Sequence, residues 1–364
     1  MPVRDRRIDN AKGVLIVLVV LGHLLEGLSS GWDDGLGRLV LTSIYAFHMP
    51  AFVFLAGITA KSKRLGERIL NLLLTLLAAQ LVYYVAERLA GDPFEWSWIR
   101  PHWILWFLFA MIAWYFTVPL IERAPRVMVV VSVATGLLAG AVPFADYEFS
   151  LSRALVFWSF FVLGKVFGRT LLTWPSALLP WFRVGMVIAA ACPPLALFVA
   201  DLEREWLYGS RNYEWLEVGL VHGIFIRLCL YLIAGLAIVA LLTAVPDRTT
   251  SVTTIGARSL SVYLLHGLAV ILLTPTLATI YDGGYERAVQ IGAVVLCALL
   301  AWALAQLLAV RPLHWAVSEP SRRLAGLLLK PLSTRSRPRS VAISSAGRQH
   351  QPVPRHLSRH VESM

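Results

Sequence analysis

The sequence predicts an all-α fold: a polytopic transmembrane helical bundle of about ten spans, with both termini in the cytoplasm. Three observations predict it. The 364-residue chain is 57% hydrophobic and 15% charged, too apolar for an ordinary soluble domain. Apolar runs of about twenty residues, the length a helix needs to cross a bilayer, recur along it. The segments between the runs alternate between basic and acidic, and the basic set belongs on the cytoplasmic side.

The runs place spans at 11–29, 36–60, 67–90, 102–121, 127–145, 151–171, 184–201, 216–244, 256–280 and 286–309. The first is read as a retained helix, because cleavage as a signal peptide would discard His23 and Glu26. Asp9 or Asn10 is expected to cap its start. In the second, Pro50 frees a backbone carbonyl and can kink the helix beside His48. The Pro193-Pro194 pair is expected to break the seventh span. The eighth is long, holds His222 and Arg227, and is expected to be tilted or broken. Gly164-x-x-x-Gly168 in the sixth suggests close helix packing. Basic connections occur at the N-terminus, at Lys61–Arg68, at Arg123 and Arg126, at Lys165, Arg169 and Arg183, at Arg248 and Arg258, and in the tail. Acidic ones hold Asp33 and Asp34, then Glu87, Asp92 and Glu95, then Asp146 and Glu148, then Asp201 to Glu217, and finally Asp282 and Glu286. Termini on one side require an even number of spans.

Two regions follow: a membrane domain at 1–310 and a basic, disordered cytoplasmic tail at 311–364, rich in Arg, Ser and Pro. The tail holds ten of the 33 Lys and Arg residues, so the net charge of +11 reflects a tail near anionic lipid, not a nucleic-acid partner. The three cysteines, Cys192, Cys229 and Cys297, lie in apolar runs and read as small core residues without a disulfide framework.

Ionisable residues inside spans are costly and mark function. Lys12 and His23 are separated by ten residues, Gly13 to Gly22, apolar throughout. That spacing returns to nearly the same helical face, roughly 16 Å along the axis. His48 and His266 fall at a similar depth in their own spans, so a common cavity is expected. Glu26 follows His23 by three residues, within reach of the imidazole, as an orienter is of a general base. Ser259, Tyr263 and His266 share one face. Lys61, Arg64 and Arg68, with Lys12, could bind the phosphates of a large anionic cofactor or serve only as the positive-inside signal. Arg227 lies deep in its span, and Arg153 lies near the outer end of another. Trp206, Tyr208, Tyr213 and Trp215 could stack on sugars or form an interfacial belt.

These residues resemble the integral-membrane acyltransferase-3, or O-acetyltransferase, family, in particular its fucose 4-O-acetylase-like branch. The resemblance covers about residues 8–310 and rests on IDNAKG to VVLGHLLE at 8–26, FHMPAFVFLAG at 47–57, the stretch from Trp103 to Leu108, SRALVFWSFFVLGK at 152–165 and SLSVYLLHG at 259–267. The family hallmark of a basic residue, ten residues and a histidine is met by Lys12 and His23, with Lys where many members carry Arg. No appended esterase-like domain accompanies it. The resemblance implies transfer of an acyl group, usually acetyl, from cytoplasmic acetyl-CoA to a hydroxyl, commonly on an extracytoplasmic or lipid-linked carbohydrate. His23 would be the base, directly or by first accepting the acyl group, supported by Glu26. His48 or His266 would donate to the oxyanion or complete a relay. Lys12, Lys61, Arg64 and Arg68 would hold the donor. Arg153, Arg227, Tyr263 and Trp206 would meet the acceptor. No metal is expected. The implied location is a bacterial inner or plasma membrane. Two alternatives stand beside it: a transporter or flippase of a lipid-linked sugar, and an acyltransferase acting on a secondary metabolite or lipid.

Overall fold

Alternating apolar runs and short polar connections fold into helices packed side by side. The structure, a computed structural model, describes residues 5–28, 32, 35–91, 94–142, 150–174, 179–280 and 287–329. The helices are α1 (Arg6–Leu28), α2 (Gly35–Tyr45), α3 (His48–Thr59), α4 (Leu65–Ala90), α5 (Trp106–Arg123), α6 (Pro125–Leu138), α7 (Leu151–Thr173), α8 (Pro180–Val199), α9 (Arg204–Tyr208), α10 (Leu220–Ala244), α11 (Thr253–Ala257), α12 (Ser259–Ile280), α13 (Arg287–Leu308) and α14 (Arg311–Leu328). No strand occurs among the described residues. Nine segments among them are long and apolar enough to cross a membrane, with α2 and α3 counted as one; the shorter apolar stretch Pro125–Ala141 makes a tenth apolar segment. The acidic residues expected at 33–34, 92, 146–148 and 282–286, and the tail beyond Leu329, lie outside the described residues.

Helix α1 is the central element: it packs against α2, α3, α10, α11, α12 and α13. Asp5, not Asp9 or Asn10, receives the free amides at its start, from Arg7 at 3.0 Å and Ile8 at 3.4 Å. The helix begins a turn earlier than its apolar run, so Asn10 falls inside it. There Asn10 is fully buried. Its amide donates to the carbonyls of Pro246 and Arg248, both at 2.8 Å, and its oxygen accepts from Thr250 and Thr253. One side chain thereby ties α1 to the loop before α11. Gly13 and Gly256 make the approach possible, since a Cβ at either would collide with backbone of the other element. The same device joins α3 to α7, where Gly57 faces the Phe161 carbonyl and Gly164 faces that of Phe54. Close packing through the Gly164-x-x-x-Gly168 segment is therefore observed.

Four expectations change. The second span does not merely kink; it stops at Tyr45 and restarts at His48, leaving Pro50 in the first turn of α3, where its missing N–H costs little. The Ile44 carbonyl is taken instead by His48 Nδ1 at 2.8 Å. The seventh span does not break: α8 runs through Pro193 and Pro194. Membrane helices tolerate such gaps where other groups reach the freed backbone; here the prolines free the carbonyls of Ala189 and Ala190. The eighth span, expected to be tilted or broken, is not broken: α10 is a continuous 25-residue helix starting at Leu220. Finally, the chain is not irregular from 311. Helix α14 packs on α4 and α12, with Thr75 donating to Ser321 at 2.9 Å, and the compact unit extends to Leu328. Its apolar residues recur at helical spacing among the arginines, a pattern the overall basic composition hid.

Candidate active site

A cavity of about 520 Å³ is lined by α1, α2, α3, α4, α5, α7, α9 and α12 and by the turn at Trp103. Lys12, Thr59, Tyr115 and Ser259 mark one end; Arg100, Trp103, Arg153 and Tyr208 mark the other. His23, His48 and His266 all line it, as do Glu26 and Tyr263. The Lys12 end is walled by apolar side chains, among them Ile16, Phe52, Leu72 and Met111, whereas the Trp103 end is aromatic and polar.

His23 reaches the cavity from the fifth turn of α1. Its Nδ1 lies 3.1 Å from Glu26 Oε2, and its ring stacks on His266 with centroids 5.4 Å apart. Glu26 is surrounded by donors. Tyr45 donates to Oε2 at 2.6 Å, Trp32 to Oε1 at 3.3 Å, and the Tyr208 hydroxyl also donates to Oε1. With His23, four donors converge on two oxygens, an arrangement made for an ionised carboxylate. Burial and the Glu26 charge push the Tyr208 phenol well above its ordinary value, so it keeps its proton and remains a donor. The proton of His23 therefore sits on Nδ1, leaving Nε2 with a lone pair.

His48 and His266 are arranged differently from His23. Each directs Nδ1 at backbone: His48 at Ile44, and His266 at Tyr263 at 2.7 Å and Val262 at 3.1 Å. A carbonyl only accepts, so each carries its proton on Nδ1, and Nε2 is an acceptor. His266 Nε2 is buried, with no partner among the described residues. In their neutral forms neither can donate from Nε2 to an oxyanion.

The remaining candidates divide. Tyr263 lines the cavity and donates to the Ile104 carbonyl at 2.5 Å. Arg153 lines it with its guanidinium over Trp106 and Tyr208, 5.3 and 6.0 Å from the ring centres. Arg227 and Trp206 do not line it. They border a separate small cavity behind Tyr45 and Phe157. There Arg227, buried, donates to the carbonyls of Gly136 and Arg211 at 3.3 and 3.4 Å and lies over Tyr213 and Trp206. Lys61 and Arg64 are exposed and off the cavity, because the 61–64 loop turns away before α4; Arg68 reaches the Tyr115 hydroxyl at the Lys12 end. Sequence reasoning missed Tyr45 and Trp32, which complete the shell of Glu26. Tyr45 carried a signal, three residues before His48; Trp32 carried none.

The acyltransferase domain family model matches residues 5–310. The chain belongs to the acyltransferase-3 family. It is a multi-pass membrane protein of that family. Two nodulation proteins NolL are similar to it. That of Mesorhizobium japonicum is 27% identical over 239 residues, 60% of this chain and 60% of its own length. That of Sinorhizobium fredii is 27% identical over 187 residues, 46% of this chain and 50% of its own. The chain thus spans about half to three fifths of these relatives. No solved structure matches.

Proposed function

We propose that the protein is an O-acyltransferase, moving an acetyl group from cytoplasmic acetyl-CoA to a hydroxyl of an extracytoplasmic or lipid-linked carbohydrate in a bacterial inner membrane. The observation that carries this reading is that one cavity holds all three: a lysine at one end, a Glu26-oriented histidine inside, and an aromatic, arginine-bearing mouth at the other end.

The Lys12 end suits the phosphates of the donor, and the apolar wall beyond it suits a long thioester arm. The Trp103 end suits a sugar, which stacks on aromatic faces and bonds to polar tips. His23 Nε2 takes the proton from the acceptor hydroxyl. The oxygen attacks the thioester carbonyl, forming a C–O bond; the C–S bond breaks, and the thiolate leaves with the proton from His23. Glu26 stabilises the imidazolium between these steps. His266, with its free Nε2 and its ring stacked on His23, suits a proton relay; oxyanion donation would require it to be charged first.

Reconstituted vesicles supplied with acetyl-CoA labelled in its acetyl carbon test the reading. The label is expected in the carbohydrate fraction as an ester released by mild alkali. Sugar crossing the vesicle membrane with no label gained would replace this reading with the transporter.

A further inference from the structure

Trp103 stands in an unusual place. Its φ is +36°, left-handed backbone that a bulky residue adopts only when its surroundings hold it there. Its ring meets the His23 imidazole edge to face, with centroids 5.0 Å apart. It is nevertheless 37% exposed. It therefore lies between the base and the outside of the molecule.

The chain leading to it is held by α4 at several points. Gln80, buried, donates to the Ser97 carbonyl at 3.3 Å and accepts from the His102 amide at 3.0 Å. His102 Nε2 donates to Glu87 at 2.8 Å, with side chains 17% and 13% exposed. The His102 ring stacks on Phe94, with centroids 3.9 Å apart. Its carbonyl accepts from the Leu105 amide at 2.8 Å, fixing the turn on the far side of Trp103. None of Gln80, Glu87, Phe94 and His102 lines the cavity, whereas Arg100, Pro101, Trp103 and Ile104 do. Buried polar groups that bond the residue before an outlier and the stretch leading to it are the surroundings such backbone needs.

We propose that Trp103 is a specificity residue closing the acceptor side of His23, and that Gln80, Glu87 and His102 are positioning residues that clamp it there. The wall keeps water from the base and admits an acceptor only along the face that Trp103 leaves open. The kinetic consequence rests on the reading of His23 as the base; the clamp itself does not.

The test separates the two. In the full chain with Cys192, Cys229 and Cys297 replaced by Ala, a cysteine is placed at His23, and its reaction with a charged, water-soluble methanethiosulfonate is timed in lipid nanodiscs. Trp103→Ala is expected to raise the rate about tenfold or more, and His102→Phe to approach that, since it removes the bond to the charged Glu87; Glu87→Gln, whose amide oxygen still accepts from His102 Nε2, is expected to raise it less. His102→Gln, which keeps a donor for Glu87, is expected to stay near the parent rate, showing that the fold survives at this position. A rate unmoved by Trp103→Ala overturns the wall. A rate raised by Trp103→Ala but not by His102→Phe or Glu87→Gln overturns the clamp, and so does His102→Gln rising as far as His102→Phe. With His23 restored, His102→Phe is expected to raise the acceptor KM with the donor KM unchanged, and to increase acetyl-CoA hydrolysis relative to transfer. An unchanged hydrolysis-to-transfer ratio would overturn the water-excluding role. An intact protein that transfers nothing would remove the proposed function while the labelling result still decides the wall.

Discussion

Two histidine–carboxylate pairs of nearly equal burial occur among the described residues. His23 and Glu26 are 15% and 21% exposed and 3.1 Å apart; His102 and Glu87 are 17% and 13% exposed and 2.8 Å apart. The difference is in which nitrogen is occupied and how the carboxylate is held. His23 gives Nδ1 to Glu26 and keeps Nε2, and its carboxylate is fixed by three further donors. His102 gives Nε2 to Glu87, stacks on Phe94, and does not line the cavity. One pair is arranged to exchange a proton, the other to hold a turn of chain. A histidine beside a carboxylate is thus no sign of catalysis until the second nitrogen and its surroundings are known.

The largest effect should separate the pairs outright. His23→Ala is expected to lower kcat for acyl transfer roughly a hundred- to ten-thousandfold, the usual cost of losing a positioned base, with acetyl-CoA binding retained. His102→Ala should act chiefly on acceptor KM. Steady-state kinetics on the two purified variants would decide it, and equal losses of kcat would erase the distinction between base and clamp.

A smaller effect is expected from the carboxylates. In Glu26→Gln the amide NH₂ faces either Tyr208 and Trp32 or Tyr45 and His23; a tyrosine hydroxyl can turn to accept from it, but Trp32 Nε1 and a His23 protonated on Nδ1 cannot. If it faces His23, the ring must move its proton to Nε2 and lose the lone pair that serves as base. Losing a bond to a charged group suggests a kcat lower by roughly ten- to a hundredfold. Glu87→Gln should leave kcat within about threefold on the same principle, since the group it supports is not in the reaction. A Glu26→Gln protein with parental kcat would mean that His23 needs no orienter.

The pairing of His23 with Glu26 was legible in the sequence for a physical reason. Residues three apart on a helix are neighbours whatever the rest of the chain does, and the apolar run around His23, about twenty residues long like the others, is the length of a spanning helix. The spans were legible because hydrocarbon enforces length and composition. What the sequence concealed depends on contacts distant along the chain. Glu87 and His102 are fifteen residues apart across a loop, Tyr208 comes to Glu26 from 182 residues away, and Asn10 reaches Thr253 across 243. The break between α2 and α3 was hidden differently: Pro50 announced it, but proline in a first turn and proline in a kink read alike until the position of the restart is known.

The smallest effect concerns the cations, and it extends the same comparison to charge on and off the cavity wall. Lys12 is half-buried and lines the cavity, whereas Lys61 and Arg64 are exposed on the loop before α4. A partly exposed charge contributes little to any one contact, so Lys12→Gln is expected to raise the acetyl-CoA KM only about two- to fivefold. Lys61→Gln and Arg64→Gln should not change it. Raising salt should narrow the gap between Lys12→Gln and the parent, because screening removes from the parent what the substitution removed from the variant. Initial rates at varied acetyl-CoA and two ionic strengths give all of these values. A larger loss at Arg64 than at Lys12 would move the donor site out of the cavity and onto the loop, and with it the side from which the thioester must enter.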